Sequence, residues 1–287
     1  MYTDTCPVCG MTVTRKALEL PAGHFLVRCC RCGHGFVLLS QAAEENLKVL
    51  YDADYSGFRR DTFFEAVVRA EIAHNFVGRI PLGARLLDVG CGNGAFMIVA
   101  QEAGYKVSGI DVSPAAVEMC RLRGLRAEVV SFDQMPIKER FDCITMWDVI
   151  EHIPALCGYI RTARDLLNPG GYLIIKTPCV APPVFRMVQC FPWLAGALLH
   201  VPAHIQFFSR NSLEALLTSY SFDRIEWLRG KRMRAIPPTG SLRKKVGRSI
   251  VWLTQALGWS GNLYVMVQVA SVGRAEDNGD SNQWLAR

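Results

Sequence analysis

The chain has no positively charged leader followed by an apolar stretch: Met1 leads directly into YTDTCPVCG, which sets the expectation of a cytoplasmic protein. Nor does its most apolar stretch, residues 178–207, read as a membrane span, because Arg186, Pro192 and Pro202 leave only about ten residues between prolines. Acids are missing altogether from Trp227 to Ala275, where Arg229, Lys231, Arg232, Arg234, Arg243, Lys244, Lys245 and Arg248 stand. The net charge of +6 is therefore local, and too modest to mark a nucleic-acid binder. A disulfide framework is also missing. Of the eleven cysteines, four form two C-x-x-C pairs and the rest are scattered through apolar segments, a usage that fits reduced thiols and a metal site.

With 287 residues, half of them apolar (50%), the chain can build one α/β domain of ordinary size and a small appendage. The stretch that organises it is Arg85–Asp111. Arg85–Val89 is a strand-like apolar run that stops at Gly90, Gly92 and Gly94; Phe96–Ala103 reads as a helix, and Lys106–Ile110 as a second strand ending on Asp111. Glycines let a backbone approach a ligand closely, the helix N-terminus presents N–H groups, and an acid at the second strand's tip can accept from a ribose diol. These features predict a nucleoside-containing cofactor. The dinucleotide spacing G-x-G-x-x-G is absent; the glycines fall as G-x-G-x-G with Asp88 two residues ahead.

Further along, Ser113 and Pro114 start a helix to Arg123, Leu125–Val130 reads as a third strand, and SFDQMP follows with Asp133. The fourth strand, Cys143–Trp147, runs into Asp148, Glu151 and His152. A helix over Ala155–Leu167, the turn Asn168–Gly171 and a fifth strand over Tyr172–Thr177 come next. Asn211–Tyr220 is a helix, and Phe222–Leu228 and Asn262–Val269 are the last two strands.

Taken together, the G-x-G-x-G loop, Asp111, Asp133, the D-x-x-E-H segment and NPGGYLIIKTP resemble the class I S-adenosylmethionine-dependent methyltransferases. The resemblance implies an α/β, Rossmann-like seven-stranded sheet. It assigns Asp88, Gly90, Gly92, Gly94, Asp111, Val112, Asp133, Gln134 and Trp147 to the cofactor, with Asp133 accepting from the adenine amino group and Phe132 and Met135 as stacking neighbours.

Cys6-Pro-Val-Cys9 and Cys29-Cys-Arg-Cys32, separated by residues 10–28, have the spacing of a structural zinc site with four thiolate ligands. Cys30 should point away, and His34 is a less favoured substitute ligand. Four unligated structural thiols are the other reading. The expected organisation is a zinc ribbon over 1–40, a helical connector over 41–80, the methyltransferase domain over 81–272 with a cap insertion at 178–208, and a disordered tail over 273–287. The connector contains helices at Gln41–Leu50 and Thr62–Arg79, the second with Phe63, Val67, Ala70 and Phe76 on its apolar side. Tyr51, Tyr55 and Phe58 line either the cofactor mouth or a domain contact.

At the end of the fourth strand, Asp148, Glu151 and His152 have two functional readings. His152 is a general base, or the three are ligands of a divalent ion such as Mg²⁺; in a third, structural reading Glu151 and His152 orient the helix. The segment is similar to the E-x-x-E-H motif of quinone-ring O-methyltransferases. His204, in HIQFFS, is the second candidate base. In the cap, Phe185, Phe191, Trp193 and Leu198 face a substrate or are simply buried.

A histidine favours a hydroxyl acceptor, so O-methylation is expected, on a small-molecule, glycan or lipid-linked substrate. The basic stretch joined to Trp252 and Trp259 predicts peripheral membrane contact through 229–260, against a phosphate pocket or a plain solvated loop. RNA methylation, through zinc ribbon and basic loop, is a second hypothesis, disfavoured because basic residues do not cluster around the ribbon. A cofactor-binding scaffold without activity is a third.

Overall fold

The computed structural model describes residues 4–13, 18–20, 24–38, 62–137, 139–201, 203–228, 242–257 and 260–270. Tyr51, Tyr55, Phe58, the helix expected at 41–50, the basic residues 229–234, Trp259 and the tail from 273 lie outside the described residues.

The chain opens with five short strands, β1 (Asp4–Thr5), β2 (Thr12–Val13), β3 (Leu18–Leu20), β4 (His24–Arg28) and β5 (Gly35–Leu38). β1 and β2 pair with each other, and β3, β4 and β5 form an antiparallel meander. Helix α1 (Thr62–Asn75) leads into the α/β unit, stopping short of the expected Arg79 in a turn at Phe76.

From there strands and helices alternate: β6 (Arg85–Val89), α2 (Ala95–Glu102), β7 (Lys106–Asp111), α3 (Pro114–Leu122), β8 (Ala127–Val129), β9 (Phe141–Trp147), α4 (Leu156–Leu166) and β10 (Leu167–Val180). Ser113 caps α3 by accepting from the Ala116 amide, with Pro114 as first helical residue, as the sequence predicts. The cap residues form α5 (Pro182–Cys190) and α6 (Ala195–Leu198), followed by β11 (Gln206–Phe207), α7 (Arg210–Ser219), β12 (Arg224–Trp227), α8 (Leu242–Ala256) and β13 (Ser260–Gln268).

Seven strands make one sheet in the order β12-β13-β10-β9-β6-β7-β8. β10, β9, β6, β7 and β8 are parallel, and β13 is antiparallel to both β10 and β12. The central strands are buried along nearly their whole length, β6 from Leu86 to Val89 and β9 from Cys143 to Met146, because helices cover both faces. Strand order reverses between β6 and β9, so the carboxyl ends of those two strands open onto a common crevice.

Three departures from the expected elements matter for the site. β10 is far longer than Tyr172–Thr177: it takes in the Asn-Pro-Gly-Gly turn as a bulge and runs on to Val180 as the partner of β13. The second half of the basic loop, from Leu242, is helix α8 rather than loop. And β11, at the end of the cap, pairs antiparallel with β5, with Gln206 opposite Phe36 and Phe207 opposite Gly35, so the N-terminal meander becomes a four-stranded sheet.

The core on one sheet face joins the cysteine-bearing segment to the seven-stranded sheet. Cys6, Val8, Val27, Cys29 and Phe36 share it with Ile144, Leu156, Phe208, Leu213, Leu216 and Leu217. Leu213, Leu216 and Leu217 fall at helical spacing on α7 and are fully buried, each burial contributing about 2 kcal/mol. The opposite face is covered by α1, α2 and α3 through Ile72, Phe76, Phe96, Met97 and Val117. The cap has its own cluster, in which Phe185 and Leu198 are buried with Leu20, Leu26 and Phe207. For these two, burial is the outcome; Phe191 and Trp193 stay exposed.

Candidate active site

The glycine loop leaves β6 through backbone conformations that side chains disfavour. Gly90 has φ +68, and a Cβ there would sit 2.7 Å from Val149 Cγ2; Gly94 has φ +77, and a Cβ would sit 2.4 Å from Leu125 Cδ1. The first contact matters for chemistry, since Val149 lies between Asp148 and Glu151. The loop expected to cradle the cofactor therefore presses directly on the D-x-x-E-H segment.

Asp111 ties this loop to the end of β7. It accepts from the Gly92 amide through Oδ2 and from the Ser113 amide through Oδ1, both at 2.9 Å. Beneath the loop, Asp88 is buried and accepts from the Thr145 hydroxyl at 2.8 Å. Burial pushes its carboxyl up to about 8; the Thr145 hydrogen bond opposes this and the charge of Asp111 adds to it. Val112 is exposed, although apolar, beside Asp111. Asp133 and Gln134 are exposed on the next strand's loop, where Asp133 accepts from the Ser131 hydroxyl. Phe132 does not line the mouth: it is buried against Tyr159 at a ring separation of 5.5 Å. Trp147, at the tip of β9, packs on Phe76 and Phe96, and its buried Nε1 has no hydrogen-bond partner among the described residues.

Past Trp147 the D-x-x-E-H segment divides. Asp148 has φ 55 and its carboxylate pairs with Lys176 of β10, whose register sets it beside Trp147. Asp148 is thus taken up by an ion pair that the sequence reading did not foresee. Glu151 and His152 lie in one turn of 3₁₀ helix, Ile150–His152. Glu151 Oε2 accepts from the Thr177 hydroxyl at 2.9 Å, while its buried Oε1 has no partner among the described residues. Burial raises this carboxyl to about 8, and the negative Asp148 pushes the same way.

His152 Nδ1 lies 2.8 Å from the Ala203 carbonyl oxygen, which only accepts, so Nδ1 carries the proton and Nε2 is the basic nitrogen. His204 stands edge-on to His152 at 4.8 Å between ring centres, and His200 stands 5.1 Å from His204. Burial lowers all three; for His204, pushed down to about 3, the other two imidazoles add to the effect. Held below their ordinary value, the three imidazoles are neutral at pH 7. One ligand atom each from Glu151, His152 and His204 also fall within 4.8 Å of one another, a set that could hold a divalent ion.

At the chain's start the thiols of Cys6, Cys9, Cys29 and Cys32 converge, with Sγ–Sγ separations of 3.7 Å for Cys6 and Cys32 and 3.6 Å for Cys9 and Cys29. A tetrahedral ion with bonds of about 2.3 Å to sulfur requires edges of about 3.8 Å, which these distances fit. Cys30 is exposed and outside the cluster. His34 lies outside this cluster of converging ligand atoms, and its Nε2 bonds to Gln206 Oε1 at 2.9 Å.

The structure therefore brings together Asp88, the glycine loop and Asp111 on one side and Glu151, His152 and His204 on the other. Sequence reasoning missed Lys176, Thr177, His200 and Gln206. A lone lysine inside YLIIKT and a histidine four residues before His204 were visible signals; the roles of Thr177 and Gln206 depend on pairings no local pattern encodes.

A family model described as a methyltransferase domain matches residues 58–226, more than half of the chain. Two ubiquinone biosynthesis O-methyltransferases are similar to it. That of Alkalilimnicola ehrlichii is 37% identical over 103 residues, 33% of this chain and 42% of the relative. That of Xanthomonas oryzae pv. oryzae is 34% identical over 113 residues, 37% and 47%. The chain thus spans less than half the length of these curated relatives. In fold, it is similar to the crystal structure of a SAM dependent methyltransferase from Archaeoglobus fulgidus, with a TM-score of 0.52 at 15% identity over 77% of this chain and 98% of that one. With the glycine loop, the strand order and the family match in agreement, the chain belongs to the methyltransferase domain family and has the fold of the class I S-adenosylmethionine-dependent methyltransferases.

Proposed function

We propose that the chain methylates a hydroxyl oxygen of a small, lipid-like acceptor, with His152 as general base. The observation that carries this reading is the His152–Ala203 bond, which puts the ring proton on Nδ1 and leaves Nε2 as the basic nitrogen. S-adenosylmethionine supplies an activated methyl group on a sulfonium. Asp111 and Asp133 would accept from its ribose and adenine, Val112 and Gln134 would border the adenine, and Asp88, Gly90, Gly92, Gly94 and Trp147 would surround the remainder. His152 Nε2 takes the acceptor's hydroxyl proton as the oxygen gains the methyl group, and His204 and His200 keep the site dry and uncharged. The names of the two curated relatives support a small lipid-like acceptor rather than a glycan.

A second reading has its own observation in the orphaned Oε1 of Glu151. Glu151, His152 and His204 would ligate a divalent ion that polarises the acceptor oxygen. Two nitrogens and one oxygen suit zinc or a transition metal better than Mg²⁺, and Asp148, held by Lys176, is not among the donors. The four N-terminal thiols hold a structural zinc in this account, within the division into 1–40, 41–80 and 81–272.

Among the described residues no helix is long and apolar enough to cross a membrane. Exposed Phe191, Trp193, Trp252, Leu253 and Leu257, with the acid-free stretch around α8, support peripheral contact with the cytoplasmic membrane face. Turnover on catechol and quinol acceptors, compared between the native chain and His152→Ala, tests the assignment. Loss of kcat with unchanged S-adenosylhomocysteine affinity is expected, and full turnover without His152 would refute the base.

A further inference from the structure

The four-thiol cluster lies at the far end of the chain from the histidines, yet two hydrogen-bonded routes join them. The first is a side-chain relay. His34 follows the second knuckle, and its carbonyl accepts from the Cys29 amide at 2.8 Å, so the ring is anchored to the thiol-bearing loop. Wedged against Phe36 and Phe208, the ring meets Gln206 Oε1 at 2.9 Å. The Gln206 amide nitrogen in turn donates to the Ile153 carbonyl at 3.0 Å, which fixes Oε1 as the acceptor of the His34 N–H.

The second route is backbone. Val37 of β5 donates to the Ile205 carbonyl at 2.9 Å, and the Ile205 amide donates to the Glu151 carbonyl at 2.8 Å. The segment entering β11 is thus clamped between β5 and the turn that carries Glu151 and His152. The His152 ring itself rests on Ala203, two residues before Ile205.

We propose that Gln206 is a positioning residue for methyl transfer, and that through it the N-terminal thiol cluster fixes the Ile150–His152 turn, making the ribbon part of the acceptor site's scaffold. Buried and 6% exposed, Gln206 has both ends of its amide bonded, one to each unit. An apolar side chain of the same length would leave the His34 N–H and the Ile153 carbonyl without partners while the ladder between β5 and β11 stayed paired. Contact is close along this seam, since a Cβ on Gly35 would meet the Phe185 ring at 2.6 Å. A displaced ribbon has little room to settle elsewhere. The consequence for catalysis rests on His152 being the base; the mechanical coupling does not.

Gln206→Met in the full chain tests this, by amide hydrogen exchange, S-adenosylhomocysteine titration and turnover together. The expected result is at least tenfold faster exchange at His152 and Ile153, unchanged exchange at 90–94, unchanged S-adenosylhomocysteine affinity, and kcat lowered about tenfold. Removing zinc from the native chain with a chelator, zinc content being measured, should produce the same local exchange signature, and it serves if Gln206→Met fails to fold. Faster exchange without a fall in kcat would keep the mechanical coupling and overturn the role of Gln206 in methyl transfer. Unchanged exchange at 150–153 in both samples would overturn the proposal whatever turnover does.

Discussion

Replacing Glu151 by Gln should make the protein more stable at neutral pH. The carboxyl is 1% exposed, satisfied on one oxygen by Thr177, and raised to about 8 by burial and by Asp148. Its unfolded value is 4.5. A raised acid works against folding as pH increases: below 4.5 both states hold the proton and nothing is lost, and between 4.5 and 8 only the unfolded chain releases it. At pH 7, with about 1.4 kcal/mol per pH unit, the penalty reaches about 3 kcal/mol. Glutamine keeps the oxygen that accepts from Thr177 and cannot ionise, so it removes the penalty. The assay is urea unfolding of both proteins from pH 4.5 to 8. The difference should be near zero at the acid end and grow to about 3 kcal/mol, with the histidines cancelling because both proteins contain them. A pH-independent difference, or a less stable variant at pH 7, would refute a buried neutral acid. If added Zn²⁺ or Mn²⁺ stabilised the native chain and not Glu151→Gln, the metal reading would gain instead.

Gly94→Ala places a Cβ 2.4 Å from Leu125 at φ +77, so S-adenosylhomocysteine affinity should fall at least tenfold and thermal stability by about 2 kcal/mol, as calorimetry would show. The rate profile kcat/KM should be flat from pH 7 upward and decline only below 6.5, since burial lowers His152; a rising limb centred above 7 would contradict the neutral imidazole. Chelation of the four-thiol site should lower the thermal midpoint of the whole chain in one transition, because Cys6 and Cys29 share a core with Leu213 and Ile144; a separate early transition would show an independent unit.

Much of the fold was legible because β6, β7 and β9 are short, largely apolar and closed by glycine or an acid, and the intervening helices keep a regular period. Arg85–Asp111 illustrates this, as does the Ser113–Pro114 start of α3. The misreadings have physical causes. Basic residues without acids look like a loop, yet Leu242–Ala256 forms helix α8 and buries Thr254. In the site, Asp88, Asp111 and His152 stood out as polar residues at the tips of apolar strands. The Asp148–Lys176 pair and the Gln206 relay did not, because strand register and the pairing of β5 with β11 create them. Spacing also grouped Asp148 with Glu151 and His152, whereas the left-handed backbone at Asp148 turns the carboxylate toward β10.

Isothermal titration with S-adenosylhomocysteine tests the central claim most directly. One site per chain is expected, weakened at least tenfold by Asp111→Ala, with NADH giving no heat. Absence of binding, or affinity untouched by Asp111→Ala, would contradict a methyl-donor site between the glycine loop and the histidines.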